Sequence, residues 1–363
     1  MKNGVPSENL AFDVDMLILA RESRGLTQNE AAKKIGISQA RLSKIETGLV
    51  PVTDDIKEQI ADGYGYPIDF FTTKAIILGP GISEFFHRKK QSISVKSVQK
   101  IHAVINLRIN HVAQLLKAVD IGDDNILHID PDEGYKAAEI AEVIRSIWNI
   151  PPGPIYNLVD VIENAGAIVI KCDFDTPKID ALSRYVPGIP RMFFINSCHP
   201  GDRQRFTLAH ELGHAIMHQV PHPDMEQQAN EFAAAFLMPE KDIRSQLNNI
   251  NIPKLVTLKP YWKVSMGALL SRASDLGKVT PRMQRHLWSQ MSVAGYRTRE
   301  PAEVDIPPEE PQLLKEVIRI HQSELDYSLS DLSKLMLLKN EEAQAVYDIT
   351  PSRAEIKARL SAI

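Results

Sequence analysis

Within FTLAHELGHAIMHQV (Phe206–Val220) two histidines stand four residues apart, with a glutamate directly after the first. No other feature constrains the fold as tightly. Residues i and i+4 of an α-helix share a face about 6 Å apart along the axis, so His210 and His214 can grip one ion if this segment is helical. A catalytic zinc site asks for a third protein ligand and keeps its fourth position for water. Beyond His214, EQQANEFAAAFLMP opens with Glu226 and reads as a second helix. Glu226 completes the set only if the two helices pack face to face, and Asn230, one turn later, can then hydrogen-bond a ligand histidine from behind. His218 and His222 compete for the third position. His218 lies two turns beyond His210, too far for one ion on a straight helix, and Met217 and Val220 occupy the Gly and His positions of an extended HExxHxxGxxH pattern. Glu226 is therefore the preferred ligand.

Glu211, one step round the helix from His210, is placed to take a proton from water on the ion. Asp202 is expected to cap this helix, and Phe206, Ala209, Leu212, Gly213, Ile216 and Met217 form its apolar side. Upstream, the apolar run Ala167–Ile170 predicts a strand, and ALSRYVPGIPRMFFINS reads as two strands about Pro187 and Gly188, the middle pair that a type II turn prefers. A small sheet thus precedes the helix. An extended polypeptide could add to its edge near Phe193–Ser197. Tyr185 and His199 are candidate oxyanion donors, between which the sequence does not choose.

The N-terminal part carries a different pattern. In MLILARESRGLTQNEAAKKIGISQARLSKIETGLV, Thr27 with Glu30 forms a capping box, Gly36 closes that helix and Ser38 caps the next. Two short helices about a tight turn predict a helix-turn-helix, whose second helix would offer Gln39, Ala40, Arg41, Ser43 and Lys44 to the major groove of double-stranded DNA, with Gln28 at the start of the first. Amide, guanidinium and methyl groups are suited to adenine, guanine and thymine edges respectively. Residues 14–72 resemble the XRE (Cro/CI-type) helix-turn-helix on the strength of LTQNEAAKKIGISQARLSKIETG. The local basic excess is small, which favours binding as a homodimer.

The stretches IPPGPIYNLVDVIENAGAIVI, PGDRQRFTLAHELGHAIMH and EQQANEFAAAFLMP, together about residues 135–245, resemble the ImmA/IrrE metallopeptidases. That resemblance implies a gluzincin-like fold, zinc bound by His210, His214 and Glu226, Glu211 as general base, and regulated cleavage of a DNA-binding repressor.

The remaining chain is less distinctive. FFHRKKQ, with His87, Arg88, Lys89 and Lys90, precedes a long helical pattern in which Val98, Ile101, Ile105, Val112, Leu115 and Val119 suit either a dimer seam or packing within the chain. Residues 254–285 hold seven basic side chains against Asp275 alone, a surface for nucleic acid or an acidic partner, or a solvated face. EPAEVDIPPEEP is an acidic proline-rich linker before a last helical unit that Ser330 is expected to cap. The expected divisions are 1–75 (helix-turn-helix), 76–130 (basic stretch and connecting helix), 131–250 (metallopeptidase), 251–300 (basic helical extension) and 301–363 (linker and C-terminal helices).

A formal net charge of −4 gives no general attraction to nucleic acid, and two cysteines, Cys172 and Cys198, exclude a disulfide framework and fit a reducing compartment. The longest apolar run, FAAAFLMP, is too short to cross a bilayer. A cytoplasmic protein without a membrane partner is expected. The fold class is α+β and mostly helical: an all-α N-terminal domain, a metallopeptidase domain with a small β-sheet, and a helical C-terminal region. The activity that follows is a zinc endopeptidase joined to a DNA reader, cleaving a repressor in response to stress or another signal. A DNA-binding repressor with a non-proteolytic metal sensor, and an antitoxin-like regulator, are the alternatives.

Overall fold

The computed structural model describes residues 12–79 and 93–351. The basic cluster His87–Lys90 lies outside the described residues. The chain divides into two compact units, one formed by residues 12–79, 93–120 and 315–351, the other by 121–314. The second unit is therefore an insertion, in sequence, between two parts of the first.

In the first unit, α1 (Val14–Ser23), α2 (Gln28–Lys34), α3 (Gln39–Glu46), α4 (Asp54–Tyr64) and α5 (Ile68–Thr72) precede the long α6 (Val95–Leu115). Thr27 and Glu30 form the expected capping box of α2, and the Ser38 hydroxyl caps α3. Ile101, Ile105, Val112 and Leu115 of α6 are buried in this unit's own core. They are occupied within the chain.

The second unit begins with α7 (Ala137–Ile147) and α8 (Leu158–Asn164), followed by β1 (Ile168–Cys172), β2 (Ala181–Val186) and β3 (Ile189–Asn196). The sheet order is β1-β3-β2, with β3 parallel to β1 and antiparallel to β2, and Pro187-Gly188 turns the hairpin. Phe193–Ser197 was expected at an edge. It falls instead on and just after the central strand, whose partners lie on both sides, so among the described residues the edge strand beside the next helix is β2. Sequence pattern alone does not order strands; the parallel return to β1 does.

Next come α9 (Gly201–Met217) and α10 (Met225–Leu237), which make the closest helix–helix packing of the unit. A Cβ on Gly213 would meet the Phe232 side chain at 3.0–3.2 Å, so glycine is what lets the two helices approach. The N-cap of α9 is Pro200 rather than Asp202, whose buried carboxylate pairs with Lys259. The short α11 (Glu240–Ile243), then α12 (Ile252–Trp262), α13 (Met266–Asp275) and α14 (Pro281–Val293), continue the same hydrophobic core, which runs from Ile126 through Leu212 and Phe236 to Trp262 and Met291.

The acidic proline-rich segment that follows is pinned to this unit. Glu300 binds Lys259 Nζ at 2.6 Å and accepts from the Met266 amide at the start of α13. Glu309 pairs with the buried Arg205 of α9 and accepts from the amides of Leu158 (2.8 Å) and Val159 (3.0 Å) at the start of α8. The backbone carbonyls of Ile306 and Pro307 press on Gly201, where any Cβ would lie within 2.6 Å of them. The chain then returns to the first unit as α15 (Leu313–Ser323), α16 (Leu329–Leu335) and α17 (Asn340–Tyr347), with Ser328 rather than Ser330 capping α16. Arg24 of the helix-turn-helix segment holds Glu342 of α17 at 2.6 and 2.7 Å. Among the described residues no helix is long and apolar enough to cross a membrane.

Gly213→Val should force α9 and α10 apart and cost about 1–3 kcal/mol of stability by overpacking. Thermal unfolding of the variant reads this directly, and an unchanged melting temperature would remove Gly213 from control of the helix spacing.

Candidate functional site

Three donor atoms meet where α9 packs on α10. One ligand atom from each of His210, His214 and Glu226 lies within 4.8 Å of the others. His210 Nε2 and His214 Nε2 are 3.0 Å apart, and Glu226 Oε1 is 3.3 Å from His214 Nε2. Helical periodicity places the imidazoles together on α9, and the first turn of α10 supplies the carboxylate. Both histidines are buried.

The hydrogen bonds behind these groups test whether a cation fits. Asn230 donates its amide N–H to the Glu226 carbonyl at 2.7 Å, which turns its Oδ1 toward His210 Nδ1 at 3.1 Å. An amide oxygen only accepts, so Nδ1 carries the ring proton and Nε2 presents a lone pair to the cluster. Two imidazoles and a carboxylate are the donor set of many three-ligand zinc sites. The residues fit a divalent ion. His222 turns aside to accept from the Asp224 amide. His218 does not join the triad either; its Nδ1 lies 3.0 Å from His214 Nδ1, and burial pushes its pKa down to about 4.

Glu211 is fully buried. Its Oε2 accepts from Ser183 Oγ of β2 at 2.8 Å, while Oε1 finds no hydrogen-bond partner among the described residues. Burial also draws the Arg184 guanidinium down to about 10, an effect that the nearby Glu211 charge opposes. Ser183 escapes a reading of the sequence because it reaches Glu211 only through the register of β2 on β3. His210, Glu226, Glu211 and Asn230 line a cleft of about 1850 Å³, as does His199. His199 Nε2 sits 2.7 Å from Asp180 Oδ1, whereas Tyr185 is 60% exposed with Arg191 stacked on its ring, and only His199 borders the cleft.

In the first unit, Gln39, Ala40 and Lys44 of α3 are exposed and Arg41 and Ser43 half-buried. Gln28 donates to Glu46 at 2.9 Å and accepts from Gln39 at 3.0 Å, while the buried Arg21 grips the other oxygen of Glu46 at 2.7 Å. Arg41 donates to Thr53 Oγ1 at 3.1 Å. Two basic residues of this segment, Arg21 and Arg24, are held in ion pairs, with Glu46 and Glu342. The same holds farther on. Lys259 is buried between Asp202 and Glu300, and the buried Arg272 donates to the Met238 carbonyl, so part of the basic excess of residues 254–285 is structural.

Residues 162–274, which include the whole triad, match the family model of the IrrE N-terminal-like domain, and residues 17–71 match the helix-turn-helix model. The chain joins an XRE-type helix-turn-helix to an IrrE/ImmA-like domain. Among curated proteins none matches it. The helix-turn-helix match runs from within α1 to Phe71 of α5, and the IrrE-like match runs from the end of α8 through the sheet, α9, α10, α11 and α12 to most of α13. The protein is a regulator with a DNA-binding helix-turn-helix domain and a metallopeptidase-like domain that holds a candidate His/Glu metal site.

Metal analysis of the purified protein should find about one zinc per chain, and His210→Ala or His214→Ala should lose it. Full zinc content in both variants would take these imidazoles out of the centre.

Proposed function

We propose that the chain is a zinc-dependent endopeptidase tethered to a DNA reader, and that it cleaves a repressor protein, its own chain or a partner, in response to stress or another signal. The observation that carries this reading is the convergence of His210, His214 and Glu226 beside a cleft that Glu211 also lines, one buried oxygen of its carboxylate having no hydrogen-bond partner among the described residues. When bound, zinc supplies Lewis acidity to the attacking water and to the scissile carbonyl. The rest belongs to protein groups. Ser183 occupies Glu211 Oε2, which leaves Oε1 to accept the proton of the attacking water and to return it to the leaving amine. The outer edge of β2 can pair with an extended polypeptide, whose backbone then lies along the cleft while side chains settle its identity. His199, on the cleft wall, is the better placed of the two candidate oxyanion donors.

The DNA-reading half rests on α3, where Gln39, Ala40, Arg41, Ser43 and Lys44 form the face offered to base edges, with Gln28 bracing Gln39. Its modest charge favours binding as a homodimer on a two-fold site, and a DNA target places the protein's work in the cytoplasm.

Two experiments separate the halves. Incubated with repressors encoded nearby, the wild-type protein should cut one of them, and Glu211→Gln should retain zinc yet cut at least about 100-fold more slowly. Equal processing by both, or none by either with DNA binding intact, would favour a sensor that does not cleave. Replacing Arg41 and Lys44 together by Ala should weaken operator binding about tenfold or more while zinc content stays the same. Undiminished binding would move the DNA contact off α3.

A further inference from the structure

The face of His214 turned away from the triad is met by a second imidazole. α9 ends at Met217, and His218, with φ −120° and ψ 105°, leaves the helix in extended conformation. Its ring therefore swings back beside His214 and does not project toward the ion as a continued helix would require. His214 Nδ1 and His218 Nδ1 are 3.0 Å apart, and on the far side His218 Nε2 is 2.8 Å from Gln228 Oε1. Gln228 belongs to α10, one half-turn after Glu226.

The protons on this chain are dictated from its outer end. Gln228 Oε1 only accepts, so His218 Nε2 must carry hydrogen. A neutral imidazole has a single N–H, and His218 Nδ1 is therefore an acceptor. A hydrogen bond between the two Nδ1 atoms then requires the proton to sit on His214. His214 Nε2 is left as a lone pair, facing that of His210 Nε2 at 3.0 Å, with the Glu226 carboxylate 3.3 Å away. Asn230 prepares His210 in the same sense from the other side. Three electron-rich atoms then meet with no proton prescribed between them, an arrangement that a cation satisfies and water does not.

We infer that His218 is a positioning residue that holds His214 in the tautomer and ring orientation needed to bind the metal, and that Gln228 anchors His218 for this purpose. The inference rests on the metal centre proposed above. It assigns the last histidine of HAIMH a role distinct from ligation, and it makes α10 contribute three times: Glu226 to the ion, Asn230 to one ligand histidine and Gln228, through His218, to the other.

The test is zinc affinity, measured by chelator competition on the full-length wild type and on His218→Ala, His218→Asn and Gln228→Leu. His218→Ala and Gln228→Leu should bind zinc about 10–100-fold more weakly. His218→Asn, whose amide oxygen can take the place of Nδ1 as acceptor, should return most of the affinity. A merely structural role at the helix end would not distinguish Asn from Ala in this way, and thermal unfolding of the metal-free forms separates loss of fold from loss of affinity. Nitrogen-15 shifts of the metal-free wild type should show His214 protonated at Nδ1. Alanine binding as tightly as wild type, asparagine as weakly as alanine, or His214 protonated at Nε2 would overturn the inference. Absence of zinc binding by the wild type would bring down the metal centre itself, and this inference with it.

Discussion

The close packing of α9 on α10 is what the functional geometry hangs on. An imidazole pair on one helix is common and by itself does little. Here the absence of a side chain at Gly213 lets Phe232 seat against the α9 backbone, and that approach draws Glu226 of α10 to within 3.3 Å of His214. Three donors that would repel a common neighbour in water are held together by a core that includes Leu208, Leu212, Ile216 and Phe236. Apolar burial thus supports an electrostatic demand that only a cation meets, and the demand is sharpened because both histidines and Glu211 are taken out of water.

The same logic explains the charged residues around the centre. Arg205 is almost wholly buried on α9, where it binds the Ile155 and Lys263 carbonyls and Glu309. Lys259 sits between Asp202 and Glu300, whose carboxylates raise its pKa against the opposing effect of burial. These pairs fasten the segment from Glu300 to Glu310 along the inserted unit and across the start of α9, at Gly201. In the other unit, Arg24 reaches Glu342, so helices from the two ends of the sequence stabilise the DNA-reading fold jointly. The helix-turn-helix is therefore completed by residues that lie beyond the inserted unit in the chain.

Helical spacing makes much of this legible in the sequence. The i, i+4 pair, the carboxylate at the head of the next helix, the capping box of Thr27 with Glu30 and the Pro187-Gly188 hairpin all follow from local rules. What local rules leave out is register and partner choice. Strand order puts Phe193 in the centre of the sheet; Ser183 meets Glu211 only once β2 is seated; His218 turns inward only because α9 stops at Met217. Charge counting fails for a related reason. Arg21, Arg24, Lys259 and Arg272 count as surface charge in a sum over residues, yet each is committed to a partner inside its own unit.

The most direct measurement of the central claim is a crystal structure with anomalous diffraction recorded on both sides of the zinc absorption edge. The account predicts one peak between α9 and α10, about 2.0–2.2 Å from Nε2 of His210, Nε2 of His214 and a carboxylate oxygen of Glu226. An anomalous peak held by other residues, or these three side chains turned away from a common point in zinc-loaded crystals, would contradict it.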